Sequence, residues 1–330
     1  MPGTRNKIRV ALLYGGRSGE HDISIRSADS IKRSLDAEQY QVTDYFIGRD
    51  GKWGSRAIIP EPGSNPDIDV VFPVLHGTFG EDGTIQGLLE LAELPYVGAG
   101  VLASAVSMDK AFAKRLCREA GLPVVPYLTL RRGQFSPKEI SLPFHFPVFV
   151  KPANLGSSVG ISKVKCACAL AEALETALRF DRKILVEQGI QGREFECAVL
   201  GGEQPQASIP CEILPSQDFY NYEDKYLLEQ AKTELPAKLS GAQTAEIQRL
   251  AVACFNAMDC EGMARVDFLM DEQSGQFFIN EINTIPGFTS ISMYPKMWEY
   301  SGIPYATLLD RLIRLALERA TERRQTHYSR

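Results

Sequence analysis

Apolar residues recur along this chain with two periods. Alternating or continuous apolar runs predict strands at 8–14, 40–47, 69–75, 146–151 and 183–188. Apolar positions three and four apart predict helices at 24–35, 85–94, 108–120, 167–178, 242–258 and 304–321. Two further strands, 266–270 and 276–283, flank the polar loop 271–275, which ends in Gly275 and so predicts a hairpin. Side chains on a strand alternate faces, so Arg265, Asp267 and Leu269 share one face, as do Ile279, Glu281 and Asn283. With Met270 opposite Gln276 the two sets fall on one side of the sheet, and a slip of one residue would separate them.

That hairpin face carries chemistry. Two carboxylates and an amide oxygen suit a hard divalent cation bound together with phosphates. The neighbouring Arg265 suits a phosphoryl group or an oxyanion. The alternative is a solvated face with an ordinary Arg–Glu cross-strand pair. The small, polar loop 284–290 follows directly and can bring backbone N–H groups to a ligand.

Other candidates sit at strand ends. The strand 8–14 runs into Gly15-Gly16-Arg17-Ser18-Gly19-Glu20 and a helix, the opening of a doubly wound α/β domain whose ligands lie at carboxyl ends of strands. Glu20 there suits a substrate ammonium, or equally serves as a helix N-terminal carboxylate. The third strand ends in His76-Gly77-Thr78-Phe79-Gly80-Glu81-Asp82-Gly83, at the same edge. The strand 146–151 ends in Lys151, and the loop after it, with Gly156, Ser157 and Gly160, can fold over phosphates although it is not a Walker A sequence. Lys110 lies on the helix 108–120, and Glu187 and Glu194 are candidate contacts to an adenine and a ribose. The aromatic stretch 219–226 reads as a loop packing on a ligand.

Composition narrows the class. The 330 residues are 44% hydrophobic and 23% charged with net charge −5, which is ordinary for a globular protein of two or three domains and unlike a nucleic-acid or membrane-surface binder. No apolar run reaches the length of a membrane span or a signal segment, so a cytoplasmic location is expected. The seven cysteines, with Cys166 and Cys168 as a CxC, are expected to be reduced thiols.

Taken in order, GGRSGEHDIS, HGTFGEDGTIQG, MDK, FVKPANLGSSVG, YNYEDKY, ARVDF and NEINTIPGFTS resemble the D-alanine–D-alanine ligases of the ATP-grasp superfamily over nearly the whole chain. The resemblance implies a mixed α/β, three-domain ATP-grasp fold: an N-terminal doubly wound α/β domain (1–98) with the first D-alanine site, a central lid (99–187) and a C-terminal domain (188–330), with ATP between the last two. It implies ATP and two Mg²⁺ ions (Mn²⁺ as a substitute) as cofactors, D-alanine as substrate, peptidoglycan precursor synthesis as the setting, and a homodimer. Asp267, Glu281 and Asn283 would hold metal, and Arg265 with the Gly287 N–H would stabilise the tetrahedral oxyanion. Lys110, Lys151 and Lys225 would contact nucleotide or phosphates. Glu187, the Ile190 backbone and Glu194 would hold adenine and ribose, with Phe219 and Leu269 as apolar faces. Glu20, with His76 beside it, would take the first D-alanine, and Ser292 with the Met293 backbone the second. Ser157 and Tyr226 would join Glu20 in closing the lid loop. Tyr226 favours an amine acceptor over D-lactate and leaves D-serine open. A nucleotide-binding protein without turnover is the reading from another class; retention of Arg265, Asp267, Glu281, Asn283 and Lys151 argues against it.

Overall fold

Strand β1 (Ile8–Gly15) is buried from Val10 to Leu13 because both of its faces are covered. The computed structural model describes residues 7–137, 139–156, 159–214 and 232–326. Ser157, Phe219, Lys225 and Tyr226 therefore lie outside the described residues. After β1 come α1 (His21–Ser34), β2 (Tyr40–Ile47), β3 (Val70–Pro73), α2 (Thr84–Leu91), α3 (Val101–Met108) and α4 (Lys110–Glu119). Then follow β4 (Tyr127–Arg131), β5 (Val148–Pro152), β6 (Ser162–Val164), α5 (Leu170–Phe180), β7 (Lys183–Gln188), β8 (Gly192–Gly201), β9 (Gln206–Ala207), β10 (Cys211–Leu214) and β11 (Lys232–Glu234). The chain continues through α6 (Gly241–Ala257), β12 (Gly262–Asp271), β13 (Phe277–Asn283), α7 (Met293–Tyr300) and α8 (Tyr305–Arg323).

Three sheets organise these elements. The first is parallel, in the order β2-β1-β3, and matches the strand–turn–helix opening expected of a doubly wound domain. The second is antiparallel, β4-β7-β5-β6, with α5 burying Leu170, Ala173, Leu174 and Ala177 against it. The third, β11-β10-β8-β12-β13 with β9 beside β8, is also antiparallel. On β12 the side chains alternate as the pattern requires: Val266, Phe268 and Met270 are buried among residues of α6, while Arg265, Asp267 and Leu269 are half-buried on the other face. Ser240 and Gln243 close the start of α6 as a reciprocal capping box.

Two placements differ from the sequence reading. Helices α3 and α4 fall within the expected central unit, yet Ala103, Ala113 and Cys117 pack into the core of the third sheet. Apolar spacing shows that a helix has a buried face, not which sheet receives it. In addition, the terminal helix returns to the first sheet: Leu308, Leu312 and Ile313 share one core with Val10, Leu12 and Phe72. Arg319 secures that return by donating to the carbonyls of Gly98 (2.5 Å) and Tyr96 (2.7 Å) and to Glu261 (3.2 Å). Arg319→Met should cost roughly 2–4 kcal/mol, since it leaves buried carbonyls without donors, and urea unfolding at constant m would measure it. An unchanged midpoint would remove Arg319 from the closure.

A third difference concerns the cysteines. Cys166 and Cys168 are joined in a disulfide where β6 gives way to a short 3₁₀ turn, contrary to the expectation of reduced thiols throughout. The other five, Cys117, Cys197, Cys211, Cys254 and Cys260, are buried free thiols.

Candidate active site

The hairpin β12–β13 places its polar residues by a register the sequence did not disclose. Met270 pairs with Phe277, not Gln276, and Phe268 with Ile279; beyond a bulge, Asp267 pairs with Glu281 and Arg265 with Asn283. The bulge sets Asn280 and Glu281 together against one residue of β12. Turn and bulge each shift the pairing by one residue, so the second restores the parity the first would have upset. Arg265, Asp267, Glu281 and Asn283 end on the same side, as expected. Ile279 does not join them: it is turned into the core with Phe277 and Ile282.

Charges on this face are tightly paired. Arg265 donates from Nε and Nη2 to the two oxygens of Asp267, both at 2.7 Å, and its Nε lies 3.3 Å from Glu196 on the neighbouring strand β8. Burial would lower the guanidinium pKa, but Asp267 and Glu196 outweigh it and raise it well above its ordinary value. The Asn283 amide donates to Asp267 at 3.1 Å, which leaves its carbonyl oxygen for another partner. Among the described residues no three His, Cys, Asp or Glu side chains cluster as a self-contained metal site. Two carboxylates and one amide oxygen fit a hard cation that takes its remaining ligands from phosphates and water.

Two cavities meet at this face. One of about 610 Å³ is lined by Glu20, His76, Arg265, Glu281, Asn283, Gly287, Ser292 and Met293. The other, of about 420 Å³, is lined by Lys110, Lys151, Glu187, Ile190, Glu194, Asp267, Leu269 and Glu281. Glu281 belongs to both, with Gly156 and Glu196. Thus every described candidate from the sequence lines one cavity or the other.

Local structure explains several placements. Glu20 precedes α1 without capping it through its side chain. Gly77 has φ +74°, and a Cβ there would stand 2.6 Å from a Glu20 carboxylate oxygen, so only glycine suits the position. A Cβ on Gly287 would come within 2.7 Å of the Ser292 hydroxyl. Ser292 precedes α7, and its hydroxyl accepts the Thr289 N–H at 3.0 Å. Lys110 donates to the Leu155 carbonyl at 2.7 Å and stands 3.8 Å from Glu281.

The nucleotide-side cavity rests on a buried triad. Lys151 lies 2.7 Å from one oxygen of Glu187 and donates to Asn280 at 3.2 Å. Lys114 lies 3.1 Å from the other Glu187 oxygen. Burial alone would push the Glu187 carboxyl up, but Lys114 and Lys151 together hold it at about 2. Burial lowers the Lys114 pKa, whereas Glu187 more than offsets burial at Lys151 and raises it. Lys114, Asn280, Glu196 and Glu81 escaped the sequence reading. Lys114 had a visible signal, a lysine on the buried side of α4 four residues after Lys110; the others became visible only through strand pairing and packing.

Known proteins resemble this chain over nearly its whole length. The family model described as D-ala D-ala ligase C-terminus matches residues 116–314, and that described as D-ala D-ala ligase N-terminus matches 9–62 and 55–99. The chain is 61% identical over 324 residues to a D-alanine–D-alanine ligase of Solibacter usitatus, covering 98% of this chain and 100% of the relative. It is 46% identical to one from Caldicellulosiruptor bescii, covering 98% and 99%. Among solved structures, the D-alanine-D-alanine ligase of Coxiella burnetii superposes with TM-score 0.87 at 40% identity, covering 97% of each chain. The VanG D-Ala:D-Ser ligase of Enterococcus faecalis superposes with TM-score 0.87 at 34% identity, covering 94% of this chain and 100% of that one.

Proposed function

This chain belongs to the D-alanine–D-alanine ligase family, with its ATP-grasp fold, and from that premise we propose how its residues divide the work of joining two D-alanines with ATP. The protein is an ATP-dependent ligase that makes D-alanyl-D-alanine for peptidoglycan precursors and releases ADP and phosphate. The observation that carries the residue assignment is the meeting of the two cavities at Glu281, beside Arg265.

In the first step a carboxylate oxygen of one D-alanine attacks the γ-phosphorus of ATP, and ADP leaves with the electron pair of the broken P–O bond. In the second, the neutral amine of the other D-alanine attacks the acyl phosphate carbon. Collapse of the tetrahedral species breaks the C–O bond to phosphate, and the amine proton is lost to solvent or phosphate. Both steps gather negative charge where Arg265 stands. Arg265 and the Gly287 N–H face the oxyanion, Glu20 takes the first ammonium, and Ser292 with the Met293 N–H takes the second carboxylate. Lys110 and Lys151 contact the phosphates, and Leu269, Ile190 and Glu194 form the nucleoside slot. Glu187, held between Lys114 and Lys151, borders that slot. Ser157, Phe219, Lys225 and Tyr226 keep the roles that the resemblance implies for them.

A divalent cation is part of this chemistry. Asp267, Glu281 and Asn283 supply its oxygen ligands, and when bound it neutralises phosphate charge. We assign Mg²⁺, as two ions, with Mn²⁺ able to replace it. Three domains follow the three sheets, with the expected junction at 187/188 falling at the end of β7 and α3–α4 belonging by packing to the third sheet. No helix among the described residues is long and apolar enough to cross a membrane. A cytoplasmic homodimer is the assembly we propose; exposed Leu91, Val101 and Leu102 on the adjoining helices α2 and α3 support it.

The test is phosphate release from ATP and Mg²⁺ with D-alanine alone and then with D-serine or D-lactate added, identifying products by mass. D-Ala-D-Ala from D-alanine alone is expected. Product only when D-serine is present would move the acceptor assignment.

A further inference from the structure

Resting on the ligase reading above, which gives Gly287 its part, we propose that His76, Ser27 and Glu81 form a clasp that positions the Gly287 N–H from the N-terminal sheet. Glu81 accepts the Ile285 N–H at 3.0 Å on one carboxylate oxygen and the Gly77 N–H at 2.9 Å on the other. His76 Nδ1 stands 2.9 Å from the Ile285 carbonyl oxygen. A carbonyl can only accept, so Nδ1 carries the proton, and in the neutral ring Nε2 is bare. The Ser27 hydroxyl, 3.1 Å from Nε2, then donates to it, and its oxygen accepts the Phe288 N–H at 3.2 Å.

The bonds that this network makes to the loop have defined directions. The loop 285–288 offers three backbone N–H groups, because Pro286 has none. Ile285 donates to Glu81 and Phe288 to Ser27. Gly287, between them, has no protein acceptor among the described residues and lines the larger cavity. Side chains from the first sheet's loops and helix α1 thus hold both flanks of one unoccupied donor, across some two hundred residues of chain. An oxyanion donor is effective only when it is held in place before the charge develops.

This assigns His76 a duty other than direct contact with the substrate ammonium. Both ring nitrogens are committed to protein partners, the residue is buried, and burial lowers its pKa against the pull of Glu20, so the neutral tautomer persists. His76, Ser27 and Glu81 are positioning residues, and Gly287 is what they position.

The experiment compares parent, His76→Leu and His76→Asn in steady-state ATP-dependent dipeptide synthesis. Leucine removes both polar groups, whereas the asparagine amide can still donate to the Ile285 carbonyl. His76→Leu should lose about 10²-fold in kcat, the scale of a misplaced reacting group, with KM for D-alanine and ATP within about threefold of the parent. His76→Asn should recover at least about tenfold of that loss. A deficit that falls in KM for D-alanine, or no recovery with asparagine, overturns the clasp. Should His76→Leu not fold, Ser27→Ala decides: kcat about tenfold lower at unchanged KM supports the clasp, and unchanged kcat overturns it. A parent enzyme that makes no D-Ala-D-Ala would count against the ligase reading itself, before any variant is compared.

Discussion

Glu281→Gln should lower kcat by about 10³-fold or more at saturating substrates while shifting the melting temperature by no more than about 2 °C. The side chain is half-buried at the mouth shared by both cavities, and Lys110 stands 3.8 Å from it. Glutamine has the same shape and keeps the strand pairing with Asp267, which is made by backbone groups. What disappears is one negative charge at the position proposed to bind the divalent cation against the transferring phosphoryl group. Steady-state phosphate release and differential scanning calorimetry on the same preparation separate the two effects. A collapsed melting transition would mean that Glu281 holds the fold together, and its metal role would lose its support. Raising Mg²⁺ should recover part of the lost rate if the deficit lies in metal affinity.

Glu187→Gln should behave in the opposite way and destabilise the protein by roughly 3–5 kcal/mol. Glu187 is 2% exposed and stands between two lysines that are themselves nearly inaccessible. Removing its charge leaves two buried ammonium groups facing a neutral amide, and Lys114, whose pKa burial already lowers, should be the first to give up its proton. The pH dependence has a definite sign. A Glu187 pKa of about 2 in the fold, against an ordinary 4.5, means the folded state favours the charged form. Its contribution, about 3 kcal/mol by linkage, is present above pH 4.5 and fades as pH falls toward 2. The stability gap between parent and Glu187→Gln, measured by urea unfolding, should therefore narrow steadily as pH drops from about 5 to 3. A gap that stays constant over that interval would show that the ion pairs are not its source.

The contrast between these carboxylates shows where sequence reading runs out. Both lie near strand ends, and both were legible as site candidates. Glu281 sits at the mouth of two cavities and can serve ligands, whereas Glu187 is bound up with Lys114 and Lys151 and serves the fold as well. Lys114 is 73 positions from Glu187, and no local pattern announces their contact. The same holds for the clasp, in which Ser27, His76 and Glu81 reach a loop more than two hundred positions away.

The amino-acid order by itself determined most elements, the glycine turns at the strand ends, and the residue types that bind phosphate, metal and ammonium. Those features depend on neighbours a few positions apart: side-chain period, backbone freedom at glycine, and the chemistry of single groups. Tertiary structure alone decided the bulge at Asn280, the turning of Ile279 into the core, the seating of α3 and α4 on the third sheet, and the return of α8 to the first. An apolar face records only that burial is favourable, since the hydrophobic effect has no direction; which surface covers it, and which polar groups are brought together when it does, is settled by packing of the whole chain.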